Sequence, residues 1–277
     1  MSDIFVKGII GYFFLDNLEA SGTGVIALKV ALACVLPAVI GYLLGSINSA
    51  VIISKLVYHD DVRTHGSGNP GTTNMMRTYG TKSAALTLVG DMAKTALSVL
   101  IGALLVAESG MYIAGLFSVI GHMFPIYYGF KGGKGVASTA ALVLCTEPVA
   151  FFVLIIMFVG IVAATKFLSL GSIMCVMLYP VILNRVYLLV RDPEGVPFIP
   201  TMVSFVVMVL VLARHRDNIR RLYKGEENKF SFKKSVKAGE KVTDAAQTSD
   251  AETSDTADVN NSQPESKKNK KKQNRKH

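Results

Sequence analysis

The sequence predicts an all-α integral membrane protein with about seven transmembrane helices, an outside N-terminus, a cytoplasmic C-terminus and a disordered C-terminal tail. Three observations carry this. Of 277 residues 51% are hydrophobic, and mean hydropathy is +0.41. The apolar residues come in long blocks split by short polar loops, and Lys and Arg fall mainly on one set of those loops.

Taken in chain order, residues 1–29 form an N-terminal extension. Its "IFVKGIIGYFFL" is too short to span, and Asp3 and Lys7 stand where a signal peptide needs an unbroken apolar core. An interfacial helix is the better reading. Residues 30–230 form the membrane domain, with spans expected at 30–56, 83–107, 111–129, 135–147, 149–166, 171–190 and 197–213. The fourth is short, so it is a tilted or half-buried helix, or the count is six. Lys55, Arg63, Arg77, Lys82, Lys131, Lys134, Lys166 and the basic tail share one side, which the positive-inside rule makes cytoplasmic.

Residues 231–277 have no apolar periodicity and cannot offset the entropy of ordering, so a disordered tail is expected. It carries 11 Lys and Arg against 7 Asp and Glu, hence four of the chain's nine net positive charges. Two readings stand for it, a solvated tail or one lying on anionic lipid headgroups. Cys34, Cys145 and Cys175 fall within spans at spacings that suggest neither a metal site nor a disulfide framework.

The polar residues gather at the cytoplasmic side. "GSINSA" puts Ser46, Asn48 and Ser49 inside an apolar span, as helix glue or site lining. "HGSGNPGTTN" contains the spacing Gly66-x-Gly68-x-x-Gly71 of a dinucleotide loop, but no buried strand precedes it, and the acidic residue at the right distance, Asp91, lies in an apolar run. What remains is a backbone able to converge on an anion, flanked by Ser67, Asn69, Thr72, Thr73 and Asn74, with Arg63 and Arg77 as fixed charges. "GHMFPIYYGFKGGKGVAST" holds Lys131, Gly132, Gly133, Lys134 and Gly135. The Walker pattern fails, because Gly129 is one residue too close and Gly135 replaces the Ser or Thr that holds magnesium. The loop instead runs into a helix start, where N–H groups, dipole and Lys134 can meet an anion. His122 could serve as a ligand or base, but a lone His ahead of "MFP" is more often a bonded structural residue. Ser169 and Ser172 open the sixth span as possible caps, and "RHRDNIRRLYKGEE" places His215 and Asn218 one turn apart.

"GSGNPGTTNMMRTYG", "GHMFPIYYGFKGGKGVAS" and "HRDNIRRLYKGEE", in that order, resemble the three motifs of the bacterial acyl-phosphate:glycerol-3-phosphate acyltransferases, from about residue 31 to 230. The resemblance implies transfer of an acyl group from acyl phosphate to position 1 of sn-glycerol 3-phosphate in a bacterial cytoplasmic membrane, giving lysophosphatidic acid. It implies catalytic roles for Ser67, Arg77, His215 and Asn218. Substrate binding falls to Gly66, Gly68, Asn69, Gly71, Asn74, Lys131, Gly132, Gly133, Lys134, Gly135, Ser169 and Ser172, and a structural role to Glu227. No cofactor, metal or nucleic acid is implied, and the expected partners are the two substrates and membrane lipids around a monomer. Three departures exist: the usual GATN reads Gly71-Thr72-Thr73-Asn74, D-x-x-K-G ends in Thr95, and Gly171 replaces one serine of a common SLSS.

The chemistry agrees. An acyl phosphate is a mixed anhydride with a good leaving group, so no protein nucleophile is demanded, and neither G-x-S-x-G nor a His-x4-Asp pair is present. A transporter of phosphorylated metabolites would show midplane charges and related halves, whereas Asp91 and Lys94 are the charge pair well within a span. A membrane-anchored scaffold would need no glycine loops.

Overall fold

The computed structural model describes residues 8–9, 23–191 and 197–230. The expected tail, and all of the expected interfacial helix except Gly8 and Ile9, lie outside the described residues.

The first expected span is two helices, α1 (Thr23–Gly45) and α2 (Ser49–Tyr58). Short polar side chains flank the break with local bonds to the backbone. Ser46 Oγ turns back to the Tyr42 carbonyl at 2.8 Å, and Asn48 Oδ1 accepts the Val51 N–H at 3.0 Å, capping α2. A short helix α3 (Thr72–Tyr79) then precedes α4 (Thr81–Met123).

Straight, the 43 residues of α4 would run about 65 Å. They fold back instead. Asp91 Oδ1 lies 3.5 Å from His122 Nδ1, and Thr95 Oγ1 lies 3.0 Å from Ser118 Oγ. The turn is at Val106 and Ala107, the latter at φ 49°, and beneath it Gly102 and Gly110 bring the two backbones together. This matches the expected division into spans ending and restarting near 107 and 111. The second arm stops at Met123 rather than 129, because Pro125 cannot supply the next helical N–H. Against this arm packs α1, whose Gly41 and Gly45 lie on the backbones of Ala114 and Ser118, so any side chain there would collide.

Helix α5 (Val136–Thr146) has 11 residues, roughly 16 Å, and is shorter than a bilayer core as expected for the fourth span. Then follow α6 (Pro148–Thr165), α7 (Leu168–Val186), a π turn (Tyr187–Arg191), α8 (Phe198–Arg214) and α9 (Arg216–Tyr223). Among the described residues four helices are long and apolar enough to cross a membrane, or five if the bent pair α8–α9 is one span; this counts the α4 hairpin once and omits α5.

Val99, Tyr112, Val119, Leu142, Val176, Val203 and Val207 form the central core between α4, α5, α7 and α8. Outward faces carry the opposite of a water-soluble pattern: Val149, Phe152, Ile156 and Val159 make an exposed apolar stripe on α6 at helical spacing. One end of the bundle is tied by Tyr112 donating to Glu147 at 2.8 Å and Tyr187 to Glu108 at 2.9 Å. The opposite end holds every motif loop.

Candidate functional site

The first loop is built by its own side chains. Asn74, 1% exposed, donates from Nδ2 to the carbonyls of Val62 (3.1 Å) and His65 (3.0 Å) and accepts the Ser67 N–H (3.1 Å) on Oδ1. Those three bonds fold residues 62–67 around one amide, which makes Asn74 the organiser of the loop. Gly66 and Gly68 sit at φ 56° and 68°, where a Cβ is strained. Asp60 accepts from Tyr79 (2.8 Å) and His65 (2.7 Å). Arg63, read from sequence as an anion-binding charge, is forked onto Asp61 at 2.6–3.2 Å, and this pair holds the Asp61 carboxyl at about 2. Its guanidinium also lies 5.9 Å from the Tyr128 ring, joining the first loop to the second. Ser67, Asn69 and Arg77 stay uncommitted: Ser67 and Arg77 are exposed, and none of the three has a side-chain hydrogen bond among the described residues.

The second loop is held from both sides. The Gly133 N–H donates to the His122 carbonyl at 3.1 Å. From α8, Arg214 donates to the Gly132 carbonyl at 2.7 Å and the Gly133 carbonyl at 3.1 Å, with its guanidinium 5.4 Å from the Phe124 ring. In the sequence only its place just before His215 hints at this role for Arg214. With those carbonyls engaged, the loop presents N–H groups at the start of α5, led by Gly135 at φ 81°. The hydroxyls of Ser138 and Thr139 in that first turn are buried with no hydrogen bond among the described residues.

Lys134 donates to Asn218 Oδ1 from α9. Asn218 Nδ2 donates to Glu227 Oε1 at 2.7 Å, and the same oxygen accepts Ser169 Oγ at 2.8 Å. Glu227 Oε2 accepts Arg221 Nε at 2.8 Å. Burial pushes the Glu227 carboxyl up, but the bonds from Ser169, Asn218 and Arg221 outweigh it and hold it below the ordinary range. Glu227 is therefore the anchor of the third motif. Ser169 is no helix cap, because its hydroxyl is spent on Glu227, and Ser172 turns back to the Leu168 carbonyl at 2.9 Å. Burial, then the neighbouring charge of Arg221 and more weakly that of Arg77, pulls the Lys134 ammonium down to about 8. It keeps two N–H donors beyond the one given to Asn218.

His215 is 2% exposed at the 60° break between α8 and α9, within electrostatic reach of Lys134 and Glu227. Its Nδ1 lies 2.8 Å from the Val211 carbonyl, which can only accept. The hydrogen is thus on Nδ1, and Nε2 of the neutral ring is an acceptor. The end of the bundle therefore gathers Lys134, Asn218, His215, Glu227 and Ser169 in one cluster with Arg77 near enough to act on Lys134, while Lys131 stays exposed on the rim. Among the described residues no group of three or more His, Cys, Asp or Glu could hold a metal ion.

The family model described as glycerol-3-phosphate acyltransferase matches residues 35–225. A glycerol-3-phosphate acyltransferase of Alkaliphilus metalliredigens is 38% identical over 195 residues, covering 70% of this chain and 95% of its own. One of Clostridioides difficile is 36% identical over 203 residues, covering 71% and 95%. The crystal structure of PlsY, an integral membrane glycerol 3-phosphate acyltransferase, in its glycerol 3-phosphate form superposes with a TM-score of 0.65 at 32% identity, over 72% of this chain and 96% of that one.

Proposed function

This chain belongs to the glycerol-3-phosphate acyltransferase family, and on that premise we propose that it transfers an acyl group from acyl phosphate to the 1-hydroxyl of sn-glycerol 3-phosphate. The products are lysophosphatidic acid and inorganic phosphate, used in phospholipid synthesis. The observation that carries the reading is the Lys134–Asn218–Glu227 chain, which sets an under-neutralised ammonium at the start of α5 beside a neutral histidine.

The substrate phosphate would sit where Lys134 and the first N–H groups of α5 converge. Ser67, Arg77 and the N–H groups of the first loop would hold the phosphate of the donor, and His215 and Asn218 the reacting hydroxyl. The glycerol oxygen bonds to the acyl carbon while the bond from that carbon to the phosphate oxygen breaks, and phosphate leaves with the electron pair. The hydroxyl proton passes to His215 Nε2 or to a phosphate oxygen. Orientation and stabilisation of developing negative charge supply the acceleration. The protein would be a seven-crossing monomer of the bacterial cytoplasmic membrane, with this end facing the cytoplasm. Residues 30–230 would be its acyltransferase domain.

The test is donor choice. Purified protein given glycerol 3-phosphate should release lysophosphatidic acid with acyl phosphate, and not with acyl-CoA or acyl carrier protein. Turnover with acyl-CoA alone would sink the proposal.

A further inference from the structure

A buried ionic cluster lies beneath the second loop and takes no part in the chemistry above. Asp91, Lys94 and His122 are 1%, 7% and 4% exposed. The Lys94 ammonium donates to the Ile47 carbonyl freed by the break between α1 and α2 (2.6 Å) and to His122 Nδ1 (2.9 Å), and its charge pairs with the Asp91 carboxylate, Oδ1 lying 2.9 Å away. One side chain thus joins the α1–α2 break to both arms of α4.

The ring it fixes is the floor of the glycine loop. A Cβ built on Gly133 would run into Nε2, Cε1 and Cδ2 of His122, and all three nearest atoms belong to that one imidazole. The Gly133 N–H also bonds the His122 carbonyl. Gly133 does not occupy the left-handed region, so the nearest obstacle to a side chain there is the ring and not backbone strain.

We propose that Lys94 and His122, with Asp91 behind them, are positioning residues that set the height of Gly133 and so aim Lys134 at the phosphate of glycerol 3-phosphate. The inference rests on the acyltransferase reading and adds residues that touch neither substrate. If the network only stabilised the hairpin, disrupting it would lower thermal stability without selecting one substrate.

The test is a rescue in the full-length protein in lipid vesicles. Gly133→Ala should raise KM for glycerol 3-phosphate tenfold or more, with a much smaller change in kcat and in KM for acyl phosphate. His122→Asn keeps an acceptor near the Nδ1 position for Lys94 and removes the far edge of the ring. His122→Asn with Gly133→Ala should therefore return KM to within about threefold of His122→Asn alone, a strongly non-additive pair. Thermal unfolding follows the same fit independently of activity: Gly133→Ala lowers Tm, and the second substitution restores part of the loss. Multiplying KM effects, or a Gly133→Ala protein with wild-type KM, would overturn the proposal. A wild-type protein inactive with every donor would instead overturn the acyltransferase reading, and Tm rescue would still decide whether the ring sets the loop.

Discussion

Lys134 gives the most direct quantitative test of the site. Burial and the charges of Arg221 and Arg77 pull its ammonium down to about 8, against an ordinary value of 10.5. In the proposed reaction glycerol 3-phosphate needs the charged form, so the sign is fixed: substrate capture is full well below pH 8, halved near it and lost as pH rises beyond it. The phosphates themselves complete their second ionisation near 6 and do not change in this range. With a pKa of about 8 the ammonium fraction falls from roughly three-quarters at pH 7.5 to roughly 3% at pH 9.5, so kcat/KM for glycerol 3-phosphate should drop about 25-fold. The assay is initial rates at saturating acyl phosphate across that range, with Lys134→Ala and Lys134→Arg alongside. The alanine variant should be slow and flat, and an arginine that still binds should be flat because a guanidinium stays charged. A wild-type profile flat to pH 9.5, or an equal decline in Lys134→Ala, would show that another group is titrating.

The remaining predictions address the other parts of the site. Gly66→Ala should damage turnover more than Gly68→Ala: both sit at positive φ, but a Cβ at Gly66 meets the Asn74 amide that folds the loop, whereas that at Gly68 is 3.3 Å from the Arg63 carbonyl; equal kcat/KM values would contradict this. Arg77→Lys and Ser67→Ala should each lower kcat/KM tenfold or more, about 1.4 kcal/mol, with desalted protein and a chelator leaving the wild type unchanged. Glu227→Ala removes the acceptor of Ser169, Asn218 and Arg221 together and should cost about 3 kcal/mol of stability, which Glu227→Gln recovers in part; an unchanged Tm would refute the anchor role. Ending the chain after Phe230, whose N–H bonds the Lys166 carbonyl at 2.6 Å, should leave turnover largely intact in correctly inserted protein.

Helix positions were readable because apolar blocks of membrane length have few alternatives, and the hairpin of α4 was marked by Glu108, Ser109 and Gly110 interrupting its apolar run. The break at residues 46–48 was visible only as polar atoms in a span. Whether such atoms glue helices or end one depends on the partner, here Lys94 reaching the Ile47 carbonyl from 47 residues away. The same limit hid the floor of the glycine loop. Asp91 and Lys94 share a helix face by spacing, but His122 joins them only through the folding back of α4. Gly41 and Gly45 did carry a local signal of close helix packing at i, i+4.

Counting cations in the motifs overstates what is available to a ligand, and the fold corrects the count. Arg63 is spent on Asp61, Arg214 on the carbonyls of Gly132 and Gly133, Arg221 on Glu227, and Lys94 on the Asp91 carboxylate, the Ile47 carbonyl and the His122 ring. Each of these charges shapes a loop. In the first two motif loops Arg77, Lys131 and Lys134 are what remain, and of these only Lys134 is drawn partly out of water, with a neutral amide as its hydrogen-bond partner. A half-buried ammonium so placed is costly until an anion arrives, and its lowered pKa measures that cost. The two phosphates of the proposed reaction would map onto the uncommitted charges, one on Lys134 at the start of α5 and one on exposed Arg77 beside the first loop. The acyl carbon and the glycerol hydroxyl would then meet between them, near His215. That division would let the site tell its two substrates apart: a phosphate reaching Lys134 would relieve an electrostatic strain, whereas one reaching Arg77 would merely replace water.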